Sequence, residues 1–284
     1  MITVSIATKN SGKTIRKCIL SVLKAFPKSE LDSIVIIDNG STDNTLKIVQ
    51  SLRKKYRLIK IFSYKGLLGG VRVQQAINSK TDWVVFVDSD VFIYPNWWKV
   101  VKEYITKKNV FWIQTLAETD YSEPYKSFFE WSIKNISAIA FYATAVRRNA
   151  ILNFKDKLEK IHGCEDLALY EEIKRRGGNT ISIKEPLAFH YGDRDDLIKN
   201  RFIRSGQSYR LWKGYSAAIF RLFRTFFTNI GKVFLYYMNK KISFNDFIQL
   251  LIIQTNNWIL FSKGVFSSTL IRELHNEGGL NEEK

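Results

Sequence analysis

Cysteine is scarce: Cys18 and Cys164 stand far apart in a chain of 284 residues. Without paired spacing they supply neither a disulfide framework nor a thiolate zinc site, and a reducing compartment is expected. The amino terminus has no basic segment ahead of a long apolar run and no small-residue cleavage site, so no export signal is expected. No stretch reaches about 18 consecutive apolar residues, which argues against a membrane-spanning helix. Acidic residues are also in deficit, 27 against 44 Lys and Arg, for a net charge of +17. An excess of that size points to a polyanionic partner: nucleic acid, anionic lipid or a phosphorylated substrate. Aromatic residues, by contrast, are plentiful, with 20 Phe, 13 Tyr and 7 Trp. The length allows a sizeable core in one large domain, or in one domain with an appendage.

The first two hundred residues alternate between short apolar runs and helical patterns. Strands are expected at 2–7, 33–37, 58–62 and 83–87, with helices at about 13–25, 42–54 and a short one ending near Ser79. This alternation predicts parallel strands joined by right-handed crossovers, with helices on both faces of an α/β sheet. In such sheets ligands bind beyond the carboxyl ends of the strands. Thr8 and Asn10, Asp38 and Asn39, and Asp88 and Asp90 follow the first, second and fourth strands, so these polar loops should meet at one crevice. Asp88 and Asp90, one residue apart, could share a hard divalent cation such as Mg2+ or Mn2+ if the strand ends in a tight loop. A turn or helix-cap role is the plain alternative for these aspartates, and for Asp38 with Asn39. Ser41 and Asp43 are expected as caps.

Further on, the sequence predicts a helix over 97–106, strands at 110–116 and 141–146, and a helix over 124–136. Another helix opens at Glu165-Asp166 and ends at Gly177-Gly178. Strand 180–183 and the segment 186–191, which carries His190, complete the globular part.

Four pieces now carry a family resemblance: Val4-Ser5-Ile6-Ala7-Thr8-Lys9-Asn10, Val35-Ile36-Ile37-Asp38-Asn39-Gly40-Ser41-Thr42-Asp43, Asp88-Ser89-Asp90, and Glu165-Asp166 at a helix start. In this order and spacing the chain resembles family 2 of the nucleotide-sugar glycosyltransferases, over roughly residues 1–210. The resemblance implies the GT-A fold, a Rossmann-like, mostly parallel sheet with helices on both faces. It also implies that Thr8, Asn10, Asp38 and Asn39 hold the base and ribose of a nucleotide-sugar donor, with Arg72 near the nucleotide. Asp88 would contact the ribose or a metal-bound water, Asp90 would bind Mn2+ or Mg2+, and His190 would complete the metal shell. For His190 a packed histidine is the alternative. Asp166, or Glu165 in its place, would be the general base of an inverting transfer. Asp38-Asn39 stands where Asp-Asp is common, and Lys9 stands where an aromatic residue is more usual. The Gln-any-any-Arg-Trp motif of processive members is missing. Arg201-Phe202-Ile203-Arg204-Ser205-Gly206 looks like the basic aromatic turn of non-processive ones.

After about Leu197 the composition changes, with aromatics alternating with Lys and Arg. Residues 212–238 read as one long helix in which Lys213, Arg221, Arg224 and Lys232 share a face, with Ile219, Phe220, Phe223, Phe226, Phe227 and Phe234 covering much of the rest. With the uncharged stretch 247–262, it suits a membrane interface. A hairpin packed on the catalytic domain or on a second subunit is the alternative. The expected organisation is a GT-A catalytic domain over 1–196, a basic aromatic helical region over 197–274 and a frayed tail over 275–284. The reading that follows is transfer of a sugar to a lipid-linked or glycan acceptor at the inner face of the membrane, with no nucleic-acid partner and possible homo-oligomers. Its rivals are a non-catalytic basic protein binding membrane or nucleic acid, and a sugar nucleotidyltransferase. The latter lacks support, since no glycine-rich, arginine-bearing phosphate loop follows the first strand.

Overall fold

The computed structural model describes residues 1–136, 139–191, 195–240 and 242–267. The expected tail at 275–284 lies outside them. In chain order the elements are β1 (Ile2–Thr8), α1 (Ile15–Ala25), β2 (Leu31–Asp38), α2 (Thr45–Lys55), β3 (Ile59–Ser63) and α3 (Leu68–Ile77). Then follow β4 (Trp83–Asp88), β5 (Val91–Ile93), α4 (Trp97–Ile105), β6 (Val110–Thr119), α5 (Tyr125–Ile136), β7 (Ala143–Arg147), α6 (Arg148–Leu152) and α7 (Lys155–Leu158). The last are α8 (Glu165–Arg175), β8 (Asn179–His190), α9 (Asp195–Lys213), α10 (Tyr215–Lys240) and α11 (Phe244–Phe266).

The chain forms two compact units. The first comprises Met1–Thr119, Ala138–Lys160 and Glu165–Tyr191, and holds one eight-stranded sheet in the order β3-β2-β1-β4-β7-β6-β8-β5. Strands β3, β2, β1 and β4 are mutually parallel, as their alternation with helices requires. β7 runs antiparallel to β4 and β6, and β8 runs parallel to β6. The central strands are buried on both faces. Ile34 and Ile36 of β2 pack with Ile15, Ile19 and Val22 of α1, while the intervening Val35 and Ile37 pack with Val71 of α3. This period-two division between two helical layers explains why β2 is apolar throughout instead of alternating. The expected segments 180–183 and 186–191 are one strand, and Pro186 is accommodated where the β6–β8 register shifts.

The second unit comprises Asp120–Ser137, Ile161–Cys164 and Gly192–Lys284. Here the expectation of one helix over 212–238 is corrected. Gly214 takes φ +88°, ends α9 and lets α10 begin afresh, so Lys213 belongs to the preceding helix and leaves the predicted cationic face. The expected turn at 201–206 is also corrected, because these residues lie inside α9. Gly206 does not break that helix. It marks a crossing: a Cβ there would come within 2.2 Å of the Phe261 carbonyl oxygen, and one on Gly264 of α11 would overlap the Ile203 carbonyl. Two glycines thus let two backbones touch. α10 and α11 run antiparallel around Val233, Tyr236, Phe247 and Leu250, with Phe128 of α5 on the same cluster.

Candidate active site

Register builds the crevice in the first unit. Thr8 pairs with Asp38 and Ala7 pairs with Asp88, so the last residues of three adjacent parallel strands stand side by side. The loops beyond them are tied together as the alternating pattern predicts. Asn10 accepts from the Thr42 amide at 2.8 Å, and its own amide donates to Ser41 Oγ at 3.0 Å. Ser11 Oγ and Ser89 Oγ lie 2.7 Å apart, joining the first loop to the aspartate loop. Asp88-Ser89-Asp90 is a tight turn between β4 and the short β5. β5 was not expected, because three residues carry no readable period.

The residues differ in how much of each side chain the fold uses. Asp38 accepts from its own turn, from the Gly40 and Ser41 amides at 3.2 and 3.0 Å and from Ser41 Oγ at 2.5 Å. Asn39 donates to the Gly66 carbonyl at 3.1 Å and accepts from the Gly66 amide at 3.0 Å, pinning the glycine loop. Asp38 thus fills the turn role weighed for it, whereas Asn39 caps no helix and ties two loops together. Asp43 caps α2, accepting from the Thr45 amide at 2.9 Å. Thr8 is different: its Oγ1 is buried without a hydrogen-bond partner among the described residues, which is uncommon for a buried hydroxyl.

Arg72 is the electrostatic centre. It is 3% exposed, lies 2.9 Å from Asp88 Oδ1 and 3.6 Å from Glu165 Oε1, and stacks 4.8 Å from the Phe141 ring centre. Burial works against its charge, but Asp88 and Glu165 outweigh that and hold the guanidinium ionised. Its influence on the crevice passes through Asp88 and Glu165. Phe141, far away in sequence, carried no signal of this role.

Glu165 and Asp166 open α8, and Asp166 Oδ1 accepts the Leu167 amide at 2.7 Å. Burial, then the Glu165 charge, pushes the Asp166 carboxyl up to about 7, while Arg72 draws it down. An acid so tuned can take a proton near neutral pH. Cys18, whose Sγ donates to the Asp88 carbonyl, has its thiol pushed up by burial and by both aspartates, so it is inert.

His190 closes the site from β8. Its Nε2 lies 3.6 Å from Asp90 Oδ1, and its ring stacks on Tyr142. No group of three or more His, Cys, Asp or Glu side chains with metal-ligand geometry occurs among the described residues. One carboxylate and one imidazole nevertheless fit a Mg2+ or Mn2+ ion that draws its remaining ligands from phosphate and water. Asp88, engaged by Arg72, is less available to such an ion. A cavity of about 660 Å³ in the same unit lies elsewhere, among α1, the starts of β2 and β3, and β5, and its lining includes none of these carboxylates.

The chain is similar to several known proteins. A poly(ribitol-phosphate) β-N-acetylglucosaminyltransferase, TarS, of Staphylococcus aureus is 28% identical over 207 residues, covering 66% of this chain and 35% of that protein. An uncharacterised glycosyltransferase of Mycoplasma pneumoniae, the MG025 homolog, is 25% identical over 222 residues, 68% of each chain. The chain thus spans about a third of the length of the curated TarS relatives. Among solved structures, TarS 1–349 superposes with a TM-score of 0.57 at 19% identity, covering 96% of this chain and 76% of that one. The mannosyltransferase PcManGT of Pyrobaculum calidifontis, solved with GDP-Man and Mn2+, gives 0.65 at 12% identity, covering 94% and 88%. Glycosyl transferase family 2 matches residues 3–170, which take in every crevice residue except His190. With the sheet order and the carboxylates at its strand ends, the match establishes that this chain has the GT-A fold and belongs to glycosyl transferase family 2.

Proposed function

We propose that the protein transfers a sugar from a nucleotide-diphosphate donor to a lipid-linked or glycan acceptor, with inversion at the anomeric carbon. The supporting observation is the convergence of Thr8, Asp38 and Asp88 on one strand edge, linked through Arg72 to Glu165 and Asp166. Thr8, Asn10, Asp38 and Asn39 hold the donor's base and ribose, Asp38 and Asn39 also fixing the loops that shape the pocket. Asp88, oriented by Arg72, meets the ribose. Asp90 and His190 are the residues that would hold Mn2+ or Mg2+. Such an ion, when bound, neutralises charge developing on the departing diphosphate. Asp166 accepts the acceptor's hydroxyl proton, Glu165 being the alternative base. Family membership and this geometry favour transfer over the two rivals, a non-catalytic basic binding protein and a sugar nucleotidyltransferase.

The setting we propose is the inner face of the cell membrane, with the protein attached peripherally and able to form homo-oligomers. Donor hydrolysis with a panel of nucleotide sugars, with and without Mn2+ or Mg2+, is the direct test. Asp90→Ala is expected to abolish metal-stimulated turnover while leaving the melting curve unchanged. Equal turnover in that variant removes the metal role.

A further inference from the structure

α10 exposes an unusual set of side chains. Phe220, Phe223, Phe227 and Phe234 are 69%, 58%, 70% and 50% exposed. At about 100° per residue they fall within a stripe roughly 60° wide, on a sector separate from the buried Leu222 and Val233. α11 repeats the pattern, with Phe244 and Ile252 at 68% and 55% exposure leading a second apolar stripe. Ring contacts fix how the two helices face each other: Tyr215 meets Phe266, Phe226 meets Trp258, and Phe234 meets Phe247. In both helices the exposed stripe is turned the same way, by roughly a quarter turn, from the Phe226–Trp258 contact between them, and Phe234 and Phe266 sit where the stripes border that seam. Because the helices run antiparallel, both stripes lie on one side of the pair.

Charge identifies the occupant. Residues 197–267 carry eleven Lys and Arg and a single acidic residue, Asp246. Arg224 and Lys240 of α10 and Lys263 of α11 are exposed. A second copy of this surface would bring like charges together, whereas an anionic bilayer offers acyl chains to the rings and headgroups to the cations. No described helix is long and apolar enough to cross a membrane, which fits a hairpin that lies flat.

We infer that the paired apolar stripes of α10 and α11 form an interfacial hairpin that seats the protein on anionic phospholipid. The inference deepens the peripheral placement proposed above by naming its surface and lipid class, and it does not depend on the sugar chemistry. It also revises the cationic complement. Arg221 packs over Tyr209 and Lys232 is partly buried, which lowers its pKa, so exposed Arg224 replaces the four-residue face read from the sequence.

Full-length protein mixed with vesicles of phosphatidylcholine, alone or with phosphatidylglycerol, is sedimented while donor hydrolysis is measured in parallel. The wild type is expected to pellet with the anionic vesicles and to be released in part by salt. The double variant Phe223→Glu, Phe227→Glu is expected to lose about tenfold or more in partitioning, and Arg224→Glu less, both with unchanged hydrolysis. Wild-type protein that stays in the supernatant at low salt overturns the inference, as does a double variant that pellets normally. So does a vesicle-indifferent dimer that the double variant splits into monomers. If vesicle binding holds but no nucleotide sugar is turned over, the hairpin stands and the transferase reading falls.

Discussion

Asp166 carries the most specific residue-level expectation. With its folded pKa near 7, turnover to a hydroxyl acceptor should rise as pH climbs through neutrality and level off above about 8. Asp166→Asn should lower turnover by about 10²–10⁴-fold while leaving donor affinity intact, as isothermal calorimetry would report. The same group affects stability. Its ordinary value is 3.8, so between about 4 and 7 the folded chain keeps a proton that the unfolded chain has released. Wild-type stability from this group therefore falls as pH rises through that window. The Asn variant should melt higher than wild type at pH 8, with the gap closing toward pH 4. Arg72→Met removes the charge that draws Asp166 down, so its rate profile should move to higher pH. Losing one partner of a buried ion pair costs about 3–5 kcal/mol. Asp88 is a third exposed and regains water, so a loss nearer about 3 kcal/mol is expected in denaturant titrations.

At the scale of elements, the parallel half of the sheet was legible because each strand is a short apolar run followed by polar turn residues. The carboxylates could be placed from that pattern alone, and Thr8 opposite Asp38 is the result. What the pattern could not show was how far each polar side chain is already engaged. Asp38 and Asn39 also make contacts within the fold, to Ser41 and Gly66, which are set by backbone turns and not by the strand pattern. The C-terminal helices were misread for a related reason. Glycine signals a stop at Gly214 and a close approach at Gly206, and only tertiary contact separates the two. The crossing is directly testable. Gly264→Val drives a branched side chain into the Ile203 carbonyl and should cost about 1–3 kcal/mol or more, seen as a lower Tm. The same change at Gly231, where an added Cβ meets nothing within 4 Å, should be nearly silent.

For the whole molecule, the division into units does not follow the chain. The sequence suggested a catalytic stretch up to residue 196 and an appendage after it, but α5 belongs with the helices at the far end. Phe128 and Trp131 of α5 pack against Tyr236 of α10. Cutting the chain after Tyr191 therefore should not release a well-behaved catalytic fragment. It should bare those rings, and the fragment should aggregate or require detergent, as light scattering would reveal.

That interleaving has a consequence for biogenesis. Phe128 is polymerised about a hundred residues ahead of Tyr236 and Phe247, a delay of roughly 5–20 s at ordinary translation speeds. Throughout that interval the nascent chain offers naked aromatic side chains to its surroundings, so chaperone depletion should lower the soluble yield of this protein more than that of one whose segments close in the order they emerge.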